Sequence, residues 1–447
     1  MFRLSGVPLR DLTPLGVLDQ LQELSLTHCE LADISELGKL TGLQRLQLSG
    51  NNLSDLSPLS SMSVLTRLYL DRNQIMDIAV LKELESLEKL SIQSNQISKI
   101  APLSELTKLQ ELLLEGNRVS DITPLSGLTE LRDLNLDTNQ LTDISSLQFL
   151  TKLEYVDLGQ NRITDISALA GATQLRTLFL NHNQIQAIEP LTGLKALVVL
   201  SLSDNQMSDI SPLSNLSELR ALYLFDNQLA DISPLKDLKK LQTLHLKGNN
   251  LIELSPISEL TDLQELELEE NQIADISPLS RLTELKELNI SNNLLSDISA
   301  LANLPKLKSL YLNNNQITEV QSLAELQQLT SLGLGSNQIG DILPLQALTN
   351  LKFLLLHNNR LSSVLPLKGL NNLETLYVDD NQLTDITPLA ELRNLKDLSL
   401  FQNSLFDRSP LNGLVSALRG GASQEMKNSE AVQQLRDHGC KVRGAPQ

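Results

Sequence analysis

Cysteine, histidine and grouped carboxylates are the residues from which a nucleophile, a general base or a metal site is built. This chain has two cysteines, Cys29 and Cys440, and five histidines. They form no nucleophile–base pairing and no zinc spacing, and no G-x-S-x-G, H-E-x-x-H or P-loop pattern occurs. Gly333-x-Gly335 lacks the third glycine of a phosphate-cradling loop. Three Asn-x-Ser triplets begin at Asn52, Asn215 and Asn289 and would matter only on a eukaryotic secretory route. The expectation is a non-enzymatic protein with no catalytic residue, cofactor or metal. What remains is hydrogen bonding and recognition. An Asn recurs at Asn51, Asn73, Asn95 and onward to Asn403, and an Asp at Asp33, Asp55, Asp77 and Asp121. An amide repeated so regularly suits buried backbone N–H and C=O groups that need a partner. The Asp column suits the capping of turns better than the binding of metal.

Composition narrows the class further. The 447 residues are 41% hydrophobic and 20% charged but only 3% aromatic, with no Trp. Length suggests about three domains, whereas aliphatic hydrophobicity with so few rings suggests one small packing unit used many times. A chain this apolar is not disordered. No apolar run approaches the roughly 20 residues of a membrane span, and MFRLSGVPLRDLTPL has no continuous apolar core of a signal peptide. Two cysteines cannot make a disulfide framework. A net charge of −18 weighs against a phosphate backbone as partner, since that needs a basic face.

The unit is visible at once. Leu21, Leu43, Leu65, Leu87 and Leu109 recur at one constant interval, and the series reaches Leu395 through 18 repeats without insertion or deletion. Three residues on come Leu24, Leu46 and Leu68, broken only by Val156. Two further on come Leu26, Leu48 and Leu70, with Ile92, Ile290 and Val378 as variants. The Asn column fills 17 of the 18 repeats, and Cys29, expected to be a buried small residue, holds its place in the first. The Leu46–Leu48 alternation is that of a short strand facing a core. Ser57 before Pro58, and Thr123 before Pro124, read as an N-cap with Pro opening a helical turn. One such unit cannot fold alone, so units must stack.

The consensus LxxLxLxxNxIxDIxPLxxLxx resembles that of leucine-rich repeat proteins of the 22-residue class, which include bacterial internalins and a eukaryotic phosphatase-regulator group. The Pro of the D-I-x-P-L segment (Pro58, Pro102, Pro124, Pro212) leans toward the internalin-like type. The resemblance implies an α/β solenoid: a curved, right-handed arc with a parallel β-sheet on its concave face and short 3-10 or helical turns on its convex face. It also implies binding of a protein partner on that concave face. A regulatory subunit that docks an enzyme such as a phosphatase is the alternative, and a structural spacer the third class.

On each strand the residues between core leucines point outward, as Arg45, Gln47 and Ser49 do. Nine of the chain's twelve aromatics occupy such positions: Tyr69, Tyr155, Phe179, Tyr223, Phe225, Tyr311, Phe353, Tyr377 and Phe401. Only Phe2, Phe149 and Phe406 lie elsewhere. Strands favour rings anyway, but that leaves unexplained why rings shun the core. Exposed Tyr and Phe are common interface anchors. His245 and His357 share the face, and His28 and His182 flank it. Two apolar patches follow: Phe179, Tyr223, Phe225 and His245, then Tyr311, Phe353, Leu355, His357, Tyr377 and Phe401, with Gly333 and Gly335 expected to open a shallow gap. Between them runs an acidic strip of Glu265, Glu267, Glu269, Glu270 and Glu287 that would favour a basic partner. Arg45, Arg67, Arg72 and Lys89 lie near the N-terminus.

The ends complete the reading. Residues 1–20 form a partial repeat, because Asp11-Leu12-Thr13-Pro14-Leu15 matches the second half of a unit. This end carries no cap, so upstream sequence or another chain is expected to cover it. Residues 21–416 are the eighteen repeats, and 417–447 a cap with a flexible tail. In the cap, Asn428-Ser429-Glu430 starts a helix, Gly439 stops it, and Cys440-Lys441-Val442 adds a short strand. As written the chain is expected in the cytoplasm, or at the cell surface or secreted if an export segment precedes Met1.

Overall fold

The computed structural model describes residues 1–405 and 424–444. Two compact units emerge, residues 1–227 and 228–447. Among the described residues the first contains eleven strands, from Phe2–Ser5 to Ala221–Tyr223, and the second nine, from Thr243–His245 to Lys441–Arg443. The paired strands are parallel and in strict register. Leu46 faces Leu68, and Leu68 faces Leu90; in the second unit Leu266 faces Leu288, and Leu288 faces Leu310. Most strands are three residues long with a buried centre, as in Arg45–Gln47 and Tyr155–Asp157. Short 3-10 turns of three or five residues alternate with them, such as Ser57–Ser61 and Thr123–Leu125. Each unit is therefore a solenoid of strand, corner and 3-10 turn. Its core is a stack of fully buried aliphatic side chains, among them Leu43, Leu46, Leu48, Leu53 and Leu59.

The corner after each strand explains the repeat. Every residue just before the Asn position, from His28 to Gln402, has a positive φ between 49° and 71°. Gly50 and Asn292 suit this left-handed conformation, while Arg72 and the β-branched Thr138 adopt it against preference. The backbone groups released by the corner are taken up by the Asn side chain. In repeat seven, Asn161 Oδ1 accepts from Leu141 N at 2.9 Å, and Nδ2 donates to Leu136 O at 3.0 Å and Leu158 O at 3.1 Å. Asn51, Asn205 and Asn359 repeat this arrangement. Cys29 is fully buried, and its Sγ lies 3.9 Å from Leu4 O, where an Asn amide would otherwise donate.

The Asp column caps the 3-10 turns, and here one expectation changes. Leu56, not Ser57, holds the cap position, with Ser57 already inside the turn. Asp55 Oδ1 accepts from Ser57 N at 2.8 Å and Asp55 Oδ2 from Ser57 Oγ at 2.9 Å. The core needs an aliphatic residue at the cap, so the acceptor moves one residue upstream. These hydrogen bonds, the backbone one first, hold the Asp55 carboxyl below its ordinary range.

The ends also refine the reading. Phe2–Ser5 forms a strand paired with Glu23–Thr27, Leu4 opposite Leu26. A helix runs over Gln424–Asp437, so Asn428 lies inside it instead of starting it. Fully buried, Asn428 accepts from Ile386 N at 3.2 Å and donates to Thr384 O and Leu405 O. Asn is a common cap, which is why it suggests a helix start; here it extends the amide system to the last described corner. Gly439, at φ 86°, ends the helix, and Lys441–Arg443 pairs with Asp397–Ser399 two repeat lengths earlier. Leu414, Ala422 and the tail 445–447 lie outside the described residues.

Replacing Asn161 by Ala leaves the buried Leu141 N–H without a partner, while Leu136 O and Leu158 O keep the amides of Asn139 and Asn183. At ~1–3 kcal/mol for the one orphaned group, a loss of about 2 kcal/mol in urea unfolding is expected, with faster amide exchange at Leu141. A loss under about 1 kcal/mol would mean that water replaces the amide.

Candidate functional site

The outward strand positions of the two units carry the side chains singled out above. In the first unit the Arg45 guanidinium stands over the Tyr69 ring, 5.2 Å from its centroid, and Lys89 is paired with Glu111. Arg45, Arg67 and Lys89 face one another across adjacent strands. Like charges so placed repel, and these two contacts relieve the outer pair. Tyr155 and Phe179 meet edge to face with centroids 6.0 Å apart. Burial, then the nearby Asp157 carboxylate, pushes the Tyr155 hydroxyl up to about 12. Burial likewise raises Asp157 to about 6. Phe179 and Tyr223 flank Ser201 in register, and Phe225 follows on the same chain segment as Tyr223. Between these rings Ser201 and Ser203 are buried. The first apolar patch therefore gathers Tyr155, Phe179, Tyr223 and Phe225, with Tyr69 apart from it.

His245 belongs to the second unit, where its Nε2 lies 2.8 Å from Glu265 Oε1. Lys247, which the sequence reading passed over, reaches Glu269 at 3.0 Å and Glu270 at 3.7 Å. The register alone placed Lys247 beside Glu269, one repeat on, and was the signal available. Lys247 thus offsets part of the acidic strip from within, and His245 gives Glu265 a hydrogen-bond partner. None of the described ion pairs involves Glu267 or Glu287. Burial pushes the Glu267 carboxyl up to about 7, against a hydrogen bond from Asn289 and with help from Glu265, Glu269 and Glu287.

Beyond the strip, Gly333 and Gly335 open no gap. A Cβ on Gly333 would meet Asn313 Nδ2 at 2.6 Å and Tyr311 Cδ1 at 2.8 Å, and one on Gly335 would collide with the His357 ring. Neighbouring side chains lie down on the bare backbone and fill the space. Tyr377 donates to Asp397 Oδ2 at 3.2 Å, and Arg443 bonds the same oxygen at 2.6 Å while standing 5.8 Å from the Tyr377 ring centroid. Arg443 follows the repeats, so no periodicity pointed to it. Phe353 is half-buried, and Phe401 is 52% exposed.

Other polar residues on this face serve the backbone. Asp71 Oδ1 accepts from Gln93 N at 3.0 Å, Asn313 Oδ1 from Gly335 N at 2.8 Å, and Asp379 Oδ1 from Phe401 N at 2.8 Å. Among the described residues no group of three His, Cys, Asp or Glu is placed to hold a metal ion. None of their helices is long and apolar enough to cross a membrane. Burial raises the Cys440 thiol to about 11, far from a reactive thiolate.

Stacked parallel strands joined by 3-10 turns, with an amide column at every corner, define a repeat scaffold whose variable residues lie on one face. The leucine-rich repeat profile in its two-copy form matches residues 19–61 and, in overlapping and adjoining windows, 173–391, and a second leucine-rich repeat profile matches 125–185. The chain belongs to the leucine-rich repeat family, whose members are typically binding scaffolds. An internalin from Listeria monocytogenes is similar at 34% identity, with 75% of this chain and 87% of that one covered and a TM-score of 0.53. A leucine-rich repeat protein of Leptospira interrogans matches at 24% identity over 97% of this chain and 99% of its own, TM-score 0.68. The ectodomain of a membrane receptor kinase from Arabidopsis thaliana, solved in complex with CASPARIAN STRIP INTEGRITY FACTOR 2, matches at 25% identity and TM-score 0.74, covering 90% of this chain and 56% of that one. No curated protein matches the chain.

The raised Glu267 carboxyl has a consequence for stability. The folded chain holds this proton where the unfolded chain, near 4.5, has released it. Stability of residues 228–447 should therefore fall as pH rises from about 4.5 to about 7. Glu267→Gln should remove most of that decline in denaturant titrations run across the window. An unchanged slope would place the proton elsewhere.

Proposed function

We propose that this chain is a recognition scaffold that binds a protein partner through the outward face of its sheet, in the manner of an internalin-like bacterial module. The observation that carries the reading is the placement of nine of twelve aromatic residues in outward strand positions. Rings are the side chains that anchor interfaces, and the core, filled by Leu and Ile, has no need of them. Similarity to an internalin at 34% identity supports the same reading. The contact residues proposed are Tyr69, Tyr155, Phe179, Tyr223 and Phe225 in the first unit. In the second they are His245, Glu265, Glu267, Glu269, Tyr311, Phe353, His357, Tyr377 and Phe401. Repeats 21–416 form the recognition module, flanked by the partial repeat 1–20 and the cap 417–447.

The test compares three proteins for capture of a partner first identified with the unaltered chain. Phe179→Ala with Phe225→Ala, and Tyr311→Ala with Phe353→Ala, should each lower capture about tenfold or more, the cost of losing two anchors. Phe149→Ala, at an exposed ring in the 3-10 turn Ser145–Phe149, should leave it unchanged. Thermal unfolding of all three should match the parent within a few degrees. Capture that survives both face variants, or a face variant that merely unfolds, would assign the rings to sheet packing. Recovery of a phosphatase as the partner would favour the enzyme-docking reading.

A further inference from the structure

Within residues 228–447 the outward face is divided along its length into an electrostatic half and an apolar half. The first begins at His245 and Lys247 and ends at Glu287; the second begins at Tyr311 and continues through Leu355 and Tyr377. Strand pairing sets the spacing. Glu267 faces Asn289, and Asn289 faces Tyr311. At about 4.8 Å between neighbouring strands, Glu267 and Tyr311 are about 10 Å apart along the sheet. Glu287 reaches Phe353 through Ser309 and Ser331, three strands or about 14 Å away.

Charge in the first half does not balance. Five carboxylates converge there: Glu265, Glu267, Glu269, Glu270 and Glu287. His245 answers Glu265, and Lys247 answers Glu269 and Glu270. Glu265 and Glu287 face each other across adjacent strands, a like-charge pairing that costs stability in the free protein. Glu287 is exposed, and Glu267 is half-buried opposite Asn289, whose Nδ2 donates to Glu269 Oε2 at 3.3 Å. A face assembled for stability alone would set a cation against these two.

We propose that the second unit binds an extended segment of a partner protein that presents an arginine or lysine to Glu267 and Glu287 and, two strands further on, an apolar side chain to the Tyr311–Leu355–Tyr377 band. The inference rests on the recognition role of this face and adds the chemistry of what is recognised. The incoming cation supplies the counter-charge missing from the strip. The apolar side chain covers rings and aliphatic groups that otherwise face water. An all-acidic segment is rejected by repulsion, and a purely basic one gains nothing from the apolar half.

Protonation provides an independent readout. Glu267 is held near 7 by burial, so a cation that binds beside it drives off a proton. His245 and Asn289 stand opposite it on the two neighbouring strands, and Glu265, Glu269 and Glu287 act on it, with Lys247 beyond them. Protonation of Glu267 therefore weakens cation binding as pH falls.

The test uses the full chain with labelled synthetic peptides, one alternating arginine and leucine, one arginine and serine, and one glutamate and leucine, followed by fluorescence anisotropy. The arginine–leucine peptide should bind more tightly than either other peptide, and its affinity should rise as pH passes upward through about 7. Glu267→Gln with Glu287→Gln should weaken it about tenfold and flatten the pH dependence. Glu259→Gln with Glu284→Gln makes the same change in net charge at acids paired with Arg281 and Lys306, outside the outward strand positions, and should change affinity less than about twofold. Equal loss in both pairs of variants would reduce the effect to net charge and overturn the proposal, as would failure of the arginine–leucine peptide to bind at low salt. If Tyr311→Ala with Phe353→Ala abolishes binding but the Gln variants do not, the cationic partner falls while the recognition face stands. If neither pair matters, both readings fall.

Discussion

A parallel strand that ends once in every repeat must turn a corner without stranding its N–H and C=O groups in the interior, and the asparagine amide is what makes that turn possible. Asn161 illustrates the coupling. It binds the N–H of Leu141 and the carbonyl of Leu136 in one repeat and the carbonyl of Leu158 in the next. Each amide thus satisfies the corner behind it as well as its own. A repeat one residue longer would carry the amide out of reach of both, which is a physical reason for eighteen repeats without a slip. The left-handed residue before each Asn belongs to the same constraint. Thr138 and Arg72 accept about 1–2 kcal/mol of unfavourable backbone geometry because the corner requires it.

With the corners fixed, the strand positions are fixed as well, and the outward face becomes a grid on which side chains can vary freely. Not every variation is available to a ligand. Asp71, Asn313 and Asp379 are committed to backbone N–H groups on the following strand. Arg45 is committed to Tyr69, Lys89 to Glu111, and Arg443 to Asp397. Removing these from the grid leaves rings such as Phe353 and Phe401 and the carboxylates Glu267 and Glu287 as the least committed large or charged groups. The division between scaffold and recognition is therefore drawn by hydrogen bonding, not by exposure alone.

Periodicity made the architecture legible because the repeat is enforced by packing. Leu46 and Leu48 must point inward, and the equivalent positions of every later repeat inherit that orientation. The same logic placed Tyr223, Phe353 and the Glu265–Glu267 pair outward correctly. What periodicity did not carry was the interaction between neighbours in a row. Position groups His245 with the rings, but its nitrogen is closer to Glu265 than any apolar grouping would require. Gly333 and Gly335 suggest empty space because glycine has no side chain, whereas Tyr311 and His357 occupy what glycine vacates. Ser57 looks like a cap because the sequence shows a hydroxyl before Pro, but the core claims Leu56 for that position and Asp55 supplies the acceptor. Asn428 lies beyond the periodic columns, so its role in closing the last described corner had no sequence signature.

If the face binds as proposed, electrostatics on the second unit would give it its selectivity. The largest cause of the raised Glu267 carboxyl is burial, ahead of repulsion from Glu265, Glu269 and Glu287. A partner that covers the residue without bringing charge buries it further and moves it toward the protonated, neutral form. A partner that brings a cation moves it the other way and gains a charge-assisted hydrogen bond. The two kinds of partner therefore meet two different surfaces, one neutral and one anionic, built from the same residues. On the proposed reading, a change in pH near 7 would alter which partner the face prefers. A fully exposed glutamate, ionised throughout this range, has no such dependence. On the proposed reading, half-burial at Glu267 is what would turn the acidic strip into a discriminating one.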